Sequence, residues 1–134
     1  KSFATALAQG AYYWKVRAKD PGGNWSPWST KWKFTVDTTK PGKPVLLTPA
    51  NGSKTGDRTP TFTWKVVTGA KYYQLIVDDN ADFSSPVFTS AWMTATSKTL
   101  GTPLVPKLYY WRVRAKDTAG NIGPWSIVWK VTVK

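Results

Sequence analysis

The 134 residues carry 15 Lys and 4 Arg against seven Asp, with no Glu, no His and no Cys, for a net charge of +12. This composition excludes thiol nucleophiles, imidazole bases, Cys- or His-based metal sites and paired-Glu glycosidase chemistry, so a catalyst would have to be built from Asp, Lys, Tyr and Ser; we expect no enzyme. The cations stand singly, never three together, which is the pattern of solvated strand faces and not the basic stripe of a nucleic-acid binder.

Taken from the N-terminus, the first informative segment is residues 10–20, GAYYWKVRAKD, because it returns at 107–117 as KLYYWRVRAKD. One offset of 97 positions carries Trp14 onto Trp111. It holds without a gap from Lys1 and Lys98, through Gly23 and Gly120, Pro27 and Pro124, Trp28 and Trp125, to Val36 and Val133. The chain therefore holds the last third of one repeat (1–36) and a complete copy (44–134). Between them, residues 37–43 lead into Pro44 with Pro41, Gly42 and two lysines, an extended polar composition that reads as a linker.

Within the complete copy the period is two. Phe62, Trp64 and Val66 alternate with Thr61, Thr63 and Lys65. Tyr73, Leu75 and Val77 alternate with Tyr72, Gln74 and Ile76. Tyr109, Trp111, Val113 and Ala115 alternate with Tyr110, Arg112, Arg114 and Lys116, and Trp129, Val131 and Val133 close the series. Turn-forming clusters at 49–52, 68–70, 78–80, 101–103 and 118–121 separate these runs. The expected strands are about 44–48, 59–66, 71–78, 86–91, 94–100, 108–116 and 125–133, seven in all. About three strands are expected in 1–36. This pattern, with no helical periodicity, predicts an all-β, two-sheet antiparallel sandwich.

The ordered motifs then resemble a known family. Pro44-Val-Leu-Leu-Thr-Pro-Ala-Asn-Gly52, Thr59-Pro-Thr-Phe-Thr-Trp64, Tyr73 to Val77, Asp82-Phe83, Leu104, Tyr109 to Ala115, Asp117-Thr-Ala-Gly-Asn121 and Pro124-Trp-Ser126 are similar to fibronectin type III-like, immunoglobulin-like tandem repeats of prokaryotic secreted and cell-surface proteins. The resemblance implies an extracellular or cell-surface, non-catalytic structural or adhesive module, one that builds a surface filament or array by intermolecular completion of the partial repeat. An accessory carbohydrate-binding module of a secreted polysaccharide-degrading enzyme is the alternative. It also implies a tyrosine corner at Tyr12 and Tyr109. Core bulk is expected from Trp64, Trp111, Phe62, Phe83 and Tyr73. Trp25-Ser-Pro-Trp-Ser29 matches the Trp-Ser-x-Trp-Ser motif of cytokine-receptor domains, which implies a structural cation–π ladder of Trp25 and Trp28 with Lys15, Arg17 and Lys19. Its counterpart uses Arg112, Arg114 and Trp125, and is expected to be shorter because Ile122 and Gly123 replace Trp25 and Ser26.

Further candidates lie outside the ladder. Tyr12, Trp14, Val16, Trp32 and Phe34 would give residues 1–36 a large apolar face that needs a covering layer, which makes it an assembly face. The partners expected are other copies of the chain or the rest of a longer repeat protein, and the positive field favours acidic polysaccharide or a cell envelope. Tyr72, Tyr110, Trp92 and Trp25 are either a platform for sugar rings or aromatics packed on Lys and Arg stems. Asp78, Asp79 and Asp82 share a loop in which Ca²⁺ would find three of its six to eight oxygens; solvated aspartates are the plainer alternative, and no other cofactor is expected. Asn24 and Asn51 stand in Asn-x-Ser glycosylation acceptors. No apolar run approaches the ~20 residues that span a bilayer, so no membrane insertion is expected. Lys1 is not an initiator, which reads as a cut or processed end.

Overall fold

The computed structural model describes residues 1–134. It contains ten strands and no helix: β1 (Gly10–Trp14), β2 (Trp32–Val36), β3 (Leu46–Thr48), β4 (Ser53–Thr55), β5 (Thr61–Trp64), β6 (Tyr72–Asp78), β7 (Phe88–Thr89), β8 (Ser97–Thr99), β9 (Lys107–Lys116) and β10 (Trp129–Val133). The chain divides into two units, Lys1–Thr38 and Thr39–Lys134.

The second unit is a two-layer sandwich. One sheet runs β4-β10-β9-β6-β7 and the other β3-β5-β8. β9 is central because it has partners on both edges. β6 pairs with it from Tyr72 opposite Lys116 to Asp78 opposite Tyr110, and β10 from Trp129 opposite Trp111 to Val133 opposite Lys107. The alternating residues meet between the layers: Phe62, Leu75, Val77, Trp111, Val113 and Val131 are fully buried, with Trp64 and Tyr73 nearly so. Phe62 packs edge-on against Trp111 with ring centroids 4.9 Å apart, and Trp64 lies 5.9 Å from Tyr73. Burial of these side chains is the main stabilising term, since each large apolar group contributes about 1.5–3 kcal/mol on leaving water.

Eight strands form here where seven were expected. The addition is β4, whose Ser-Lys-Thr sequence has no apolar member; it pairs parallel to β10 through backbone groups. Gly52 donates to the Lys130 carbonyl at 2.7 Å and Lys134 to that of Thr55 at 2.9 Å, fixing both ends of this pairing. Several strands are shorter than the periodicity suggested, notably β7 and β10. Residues before β10 bond to β9 through Ser126 and Gly123 instead of a continuous ladder. The proline-rich segment 39–44 belongs to the sandwich, with Pro41 and Pro44 buried. A Cβ on Gly123 would lie 2.2 Å from the Pro41 carbonyl oxygen, so glycine is required there.

The first unit contains the β1–β2 hairpin, two strands where about three were expected. Its register runs from Gly10 opposite Val36, through Tyr12 opposite Phe34, to Trp14 opposite Trp32. Shifted by 97 positions, this is the β9–β10 register residue for residue. Yet β1 stops at Trp14, whereas β9 runs on to Lys116. The stretch of β9 beyond Trp111 is paired by β6, and β1 has no such neighbour.

Candidate interaction surface

Each repeat builds a stack of cations and aromatic rings downstream of its tyrosine corner, along β9 in the second repeat and directly after β1 in the first. Tyr12 donates its hydroxyl hydrogen to the Ala8 carbonyl at 2.8 Å and Tyr109 to that of Val105 at 3.0 Å, four residues upstream in both repeats. These bonds fix where each strand starts. Each turn is also made alike. Asp20 accepts from the Asn24 backbone and side-chain nitrogens at 2.8 and 3.0 Å, and Asp117 does so from Asn121 at 2.8 and 2.9 Å. Gly23 (φ +88°) and Gly120 (φ +93°) take the left-handed turn. The asparagine donors hold both carboxyls below their ordinary pKa, the Asn24 backbone leading for Asp20 and the Asn121 side chain for Asp117.

In the first repeat the cations are Lys15, Arg17 and Lys19. Trp28 lies between Lys15 and Arg17 (4.6 and 4.5 Å), and Trp25 between Arg17 and Lys19 (4.1 and 5.2 Å). The serines of the Trp-Ser-Pro-Trp-Ser segment hold the indoles in place. Ser26 accepts the Ala18 N–H on its hydroxyl at 2.8 Å and donates its own N–H to the Ala18 carbonyl. Ser29 does the same to Val16. In the second repeat only Ser126 remains, accepting from Val113 at 3.0 Å.

The second stack is nevertheless longer than the first, which corrects the expectation from Ile122 and Gly123. Trp125 lies 4.5 Å from both Arg112 and Arg114. Trp92, from the segment between β7 and β8, enters between Arg114 and Lys116 at 5.3 and 4.4 Å. Tyr72 of β6 caps Lys116 at 5.2 Å, and Phe83 lies 4.1 Å from Arg112 at the other end. Rings remote in sequence thus replace the missing Trp25 counterpart. Phe83, expected in the core, is buried outside the main core cluster and serves the stack. It holds φ +55°, a costly conformation for a bulky residue. Arg112 is half-buried between Phe83 and Trp125, with its Nε hydrogen unpaired, and is less exposed than its outward alternation suggested. Burial, followed by the charge of Arg114, lowers its pKa.

The loop that presents Phe83 contains the three aspartates weighed as a calcium site. They do not converge. Asp78 is buried, accepting from the Asn80 and Ser85 N–H groups at 3.2 Å each. Asp79 pairs with Lys107, which lowers its own pKa and raises that of the lysine. Asp82 accepts from the Ser84 N–H at 3.0 Å. No group of three or more His, Cys, Asp or Glu is placed to hold a metal ion. At the two glycosylation acceptors, the Asn24 side-chain nitrogen donates to Asp20 and the Asn51 side-chain oxygen accepts from Lys130 at 3.0 Å. Of the aromatics considered as a sugar platform, Trp25, Trp92 and Tyr72 have cations over their faces, and Tyr110 is half-buried.

The second surface is the apolar face of β1–β2. Tyr12 stacks on Phe34 at 5.5 Å, and Trp14 meets Trp32 at 6.0 Å. Trp14 is 46% exposed, Val16 57% and Trp32 63%. A cavity of about 410 Å³ opens on this face, lined by Phe3, Trp14, Val16 and Phe34 with Lys1 and Lys15.

No protein-family model and no curated protein matches this chain. Solved structures do. An α-L-rhamnosidase from Dictyoglumus thermophilum is 22% identical over 71% of this chain and 12% of its own, with a TM-score of 0.57. An Fn3-like protein from Clostridium thermocellum is 19% identical over 72% of this chain and 94% of its own, at 0.51. Domains d3–d4 of the rat CD45 extracellular region are 16% identical over 99% of this chain and 70% of theirs, at 0.58. The chain spans about an eighth of the rhamnosidase it matches.

Proposed function

The fold is fibronectin type III-like, and from that premise we propose that the chain is a non-catalytic structural or adhesive module of an extracellular tandem-repeat protein, arranged in a surface array. The supporting observation is what the 97-residue offset duplicates. Hairpin register, tyrosine corner, Asp–Asn turn and cation–aromatic stack recur in both repeats. All of these are framework contacts that set the shape and stiffness of a repeat, which is the property a repeated spacer or adhesive element needs. Domains of this type also stand within larger proteins, such as the rhamnosidase matched over 12% of its chain, and the fold by itself assigns no activity.

An accessory carbohydrate-binding role is the competing reading, and the cations stacked over Trp25, Trp92 and Tyr72 count against it. Negative-stain microscopy of the native assembly, paired with co-sedimentation on neutral and acidic polysaccharides at physiological salt, separates the two. The structural reading expects ordered strings or arrays and no retention on the neutral polysaccharide, with any retention on the acidic one following from the net charge of +12 and falling with salt. Saturable retention on a neutral polysaccharide, lost in a Trp25→Ala variant, would overturn it.

A further inference from the structure

We propose that the open edge of the complete sandwich, between β7 and β8, is a docking site for an extended acidic segment of a partner protein. In that segment one Asp or Glu stands with apolar residues two positions before and after it. The proposal goes beyond the repeat-array reading and does not rest on it.

Backbone groups supply the first support. β8 is the outer strand of its sheet. Trp64 donates its N–H to the Thr96 carbonyl and Leu100 donates to that of Pro60, with Phe62 opposite Lys98 between them. Thr96, Lys98 and Leu100 therefore bond toward β5, and Ser97 and Thr99 turn their N–H and C=O groups to the open edge. An added strand pairs with such an alternating row of donors and acceptors.

The second support is the groove beside that edge. Lys98 shares a strand face with the fully buried Phe62, so it points inward, between the sheets. It is half-buried, with its ammonium 5.9 Å from the Phe88 ring. A cavity opens on each side of it, about 580 Å³ toward Leu100 and Leu104 and about 220 Å³ toward Met93. Lys98 has no carboxylate partner, because the one ion pair joins Lys107 to Asp79. An inward cation on an edge strand discourages indiscriminate strand addition, and an acid opposite it removes that penalty. Every second side chain of an added strand enters the groove. The residue opposite Lys98 then meets the ammonium, and those two positions away enter the cavities. The 97-residue offset repeats Lys98 as Lys1, Leu104 as Leu7 and Tyr109 as Tyr12.

A second copy of the chain does not supply this segment. There is no Glu, and only Asp79 and Asp117 have apolar residues on both flanks, Val77 with Ala81 and Ala115 with Ala119. Val77 and Ala115 are fully buried in β6 and β9. The donor is accordingly a different protein. A small amphipathic carboxylate fills the cavities but leaves the Ser97 and Thr99 backbone groups unpaired, so the edge favours a peptide.

The test titrates the full chain at physiological salt with the capped peptide Ser-Thr-Val-Thr-Glu-Thr-Val-Thr-Ser, following amide shifts by NMR. Its isomer Ser-Thr-Val-Glu-Thr-Thr-Val-Thr-Ser has the same charge but turns the acid away from the groove. The first peptide should shift the amides of 97–99 and bind about 5-fold more tightly than the isomer, as a matched cross-strand charge pair does. Lys98→Gln should abolish that preference, and Lys98→Glu should transfer it to a version with Lys in place of the central Glu. Equal affinity of the two isomers, or shifts confined to the cations of β9, would reduce binding to net charge and overturn the site. No shift at 97–99 with any peptide, together with self-association of a Lys98→Leu variant in sedimentation, would make Lys98 an edge guard alone. Shifts there with decanoate but with no peptide would assign the groove to a small carboxylate instead.

Discussion

Trp14 and Trp111 occupy the same point of the same register, each opposite a tryptophan of the neighbouring strand. Trp111 is fully buried and Trp14 is 46% exposed. The two hairpins share their register, so the difference lies in what covers them. Burial is thus a property of the layer opposite, while register belongs to the hairpin and its corner. The same contrast holds for strand length. β9 extends to Lys116 because β6 supplies a second set of backbone partners, and β1 ends where such a neighbour is missing.

Mutations can sharpen that contrast. Trp111→Ala should cost roughly 3–5 kcal/mol of unfolding free energy in the second unit, the usual loss for a buried large aromatic. Trp14→Ala, its counterpart, should change chemical denaturation by less than about 1 kcal/mol while its face is uncovered. Equal losses would mean that the first hairpin is already part of a closed core. The next effect is at the repeat boundary. Gly123→Ser copies the Ser26 side chain into the second repeat, where it meets the Pro41 carbonyl. We expect a loss of about 1–3 kcal/mol, typical of overpacking, together with faster hydrogen exchange in 39–45. Unchanged exchange there would show that the proline segment is not held by this contact.

Arg112→Ala tests the longer stack. A guanidinium held between two rings and partly desolvated is worth up to about 2 kcal/mol, so the loss should reach roughly 1–2 kcal/mol. Lys15→Ala in the exposed first stack should cost under about 1 kcal/mol. Thermal melts of both variants decide whether burial strengthens the stack. The smallest effect is the pH response of the two turns. Asp20 and Asp117 both have lowered pKa values in the folded state. Their stabilisation is therefore complete above the ordinary carboxylate pKa of about 4 and is lost as pH falls through the lowered folded values. Asp117→Asn should flatten the acid limb of the melting curve of the second unit, measured by calorimetry between pH 2 and 5.

By itself the amino-acid sequence determined the repeat, its phase and its β-sandwich class. Through the family resemblance it also pointed to the tyrosine corners and the first stack, whose partners lie 4 to 13 positions apart. Alternation at period two identifies an inward face wherever one side of a strand is apolar, and Trp111, Val113 and Ala115 are legible on that ground. Only the tertiary structure decided the rest. β4 has no apolar member and exists through backbone pairing with β10, which leaves no periodic trace. Trp92, Tyr72 and Phe83 join the second stack from positions 22–44 residues away from the cations they touch, and Pro41 reaches Gly123 across 82 positions. Such contacts follow from how two sheets and their loops close on one another. Nothing in local spacing encodes that closure, and the uncovered face of the first repeat is the same principle seen without its partner layer.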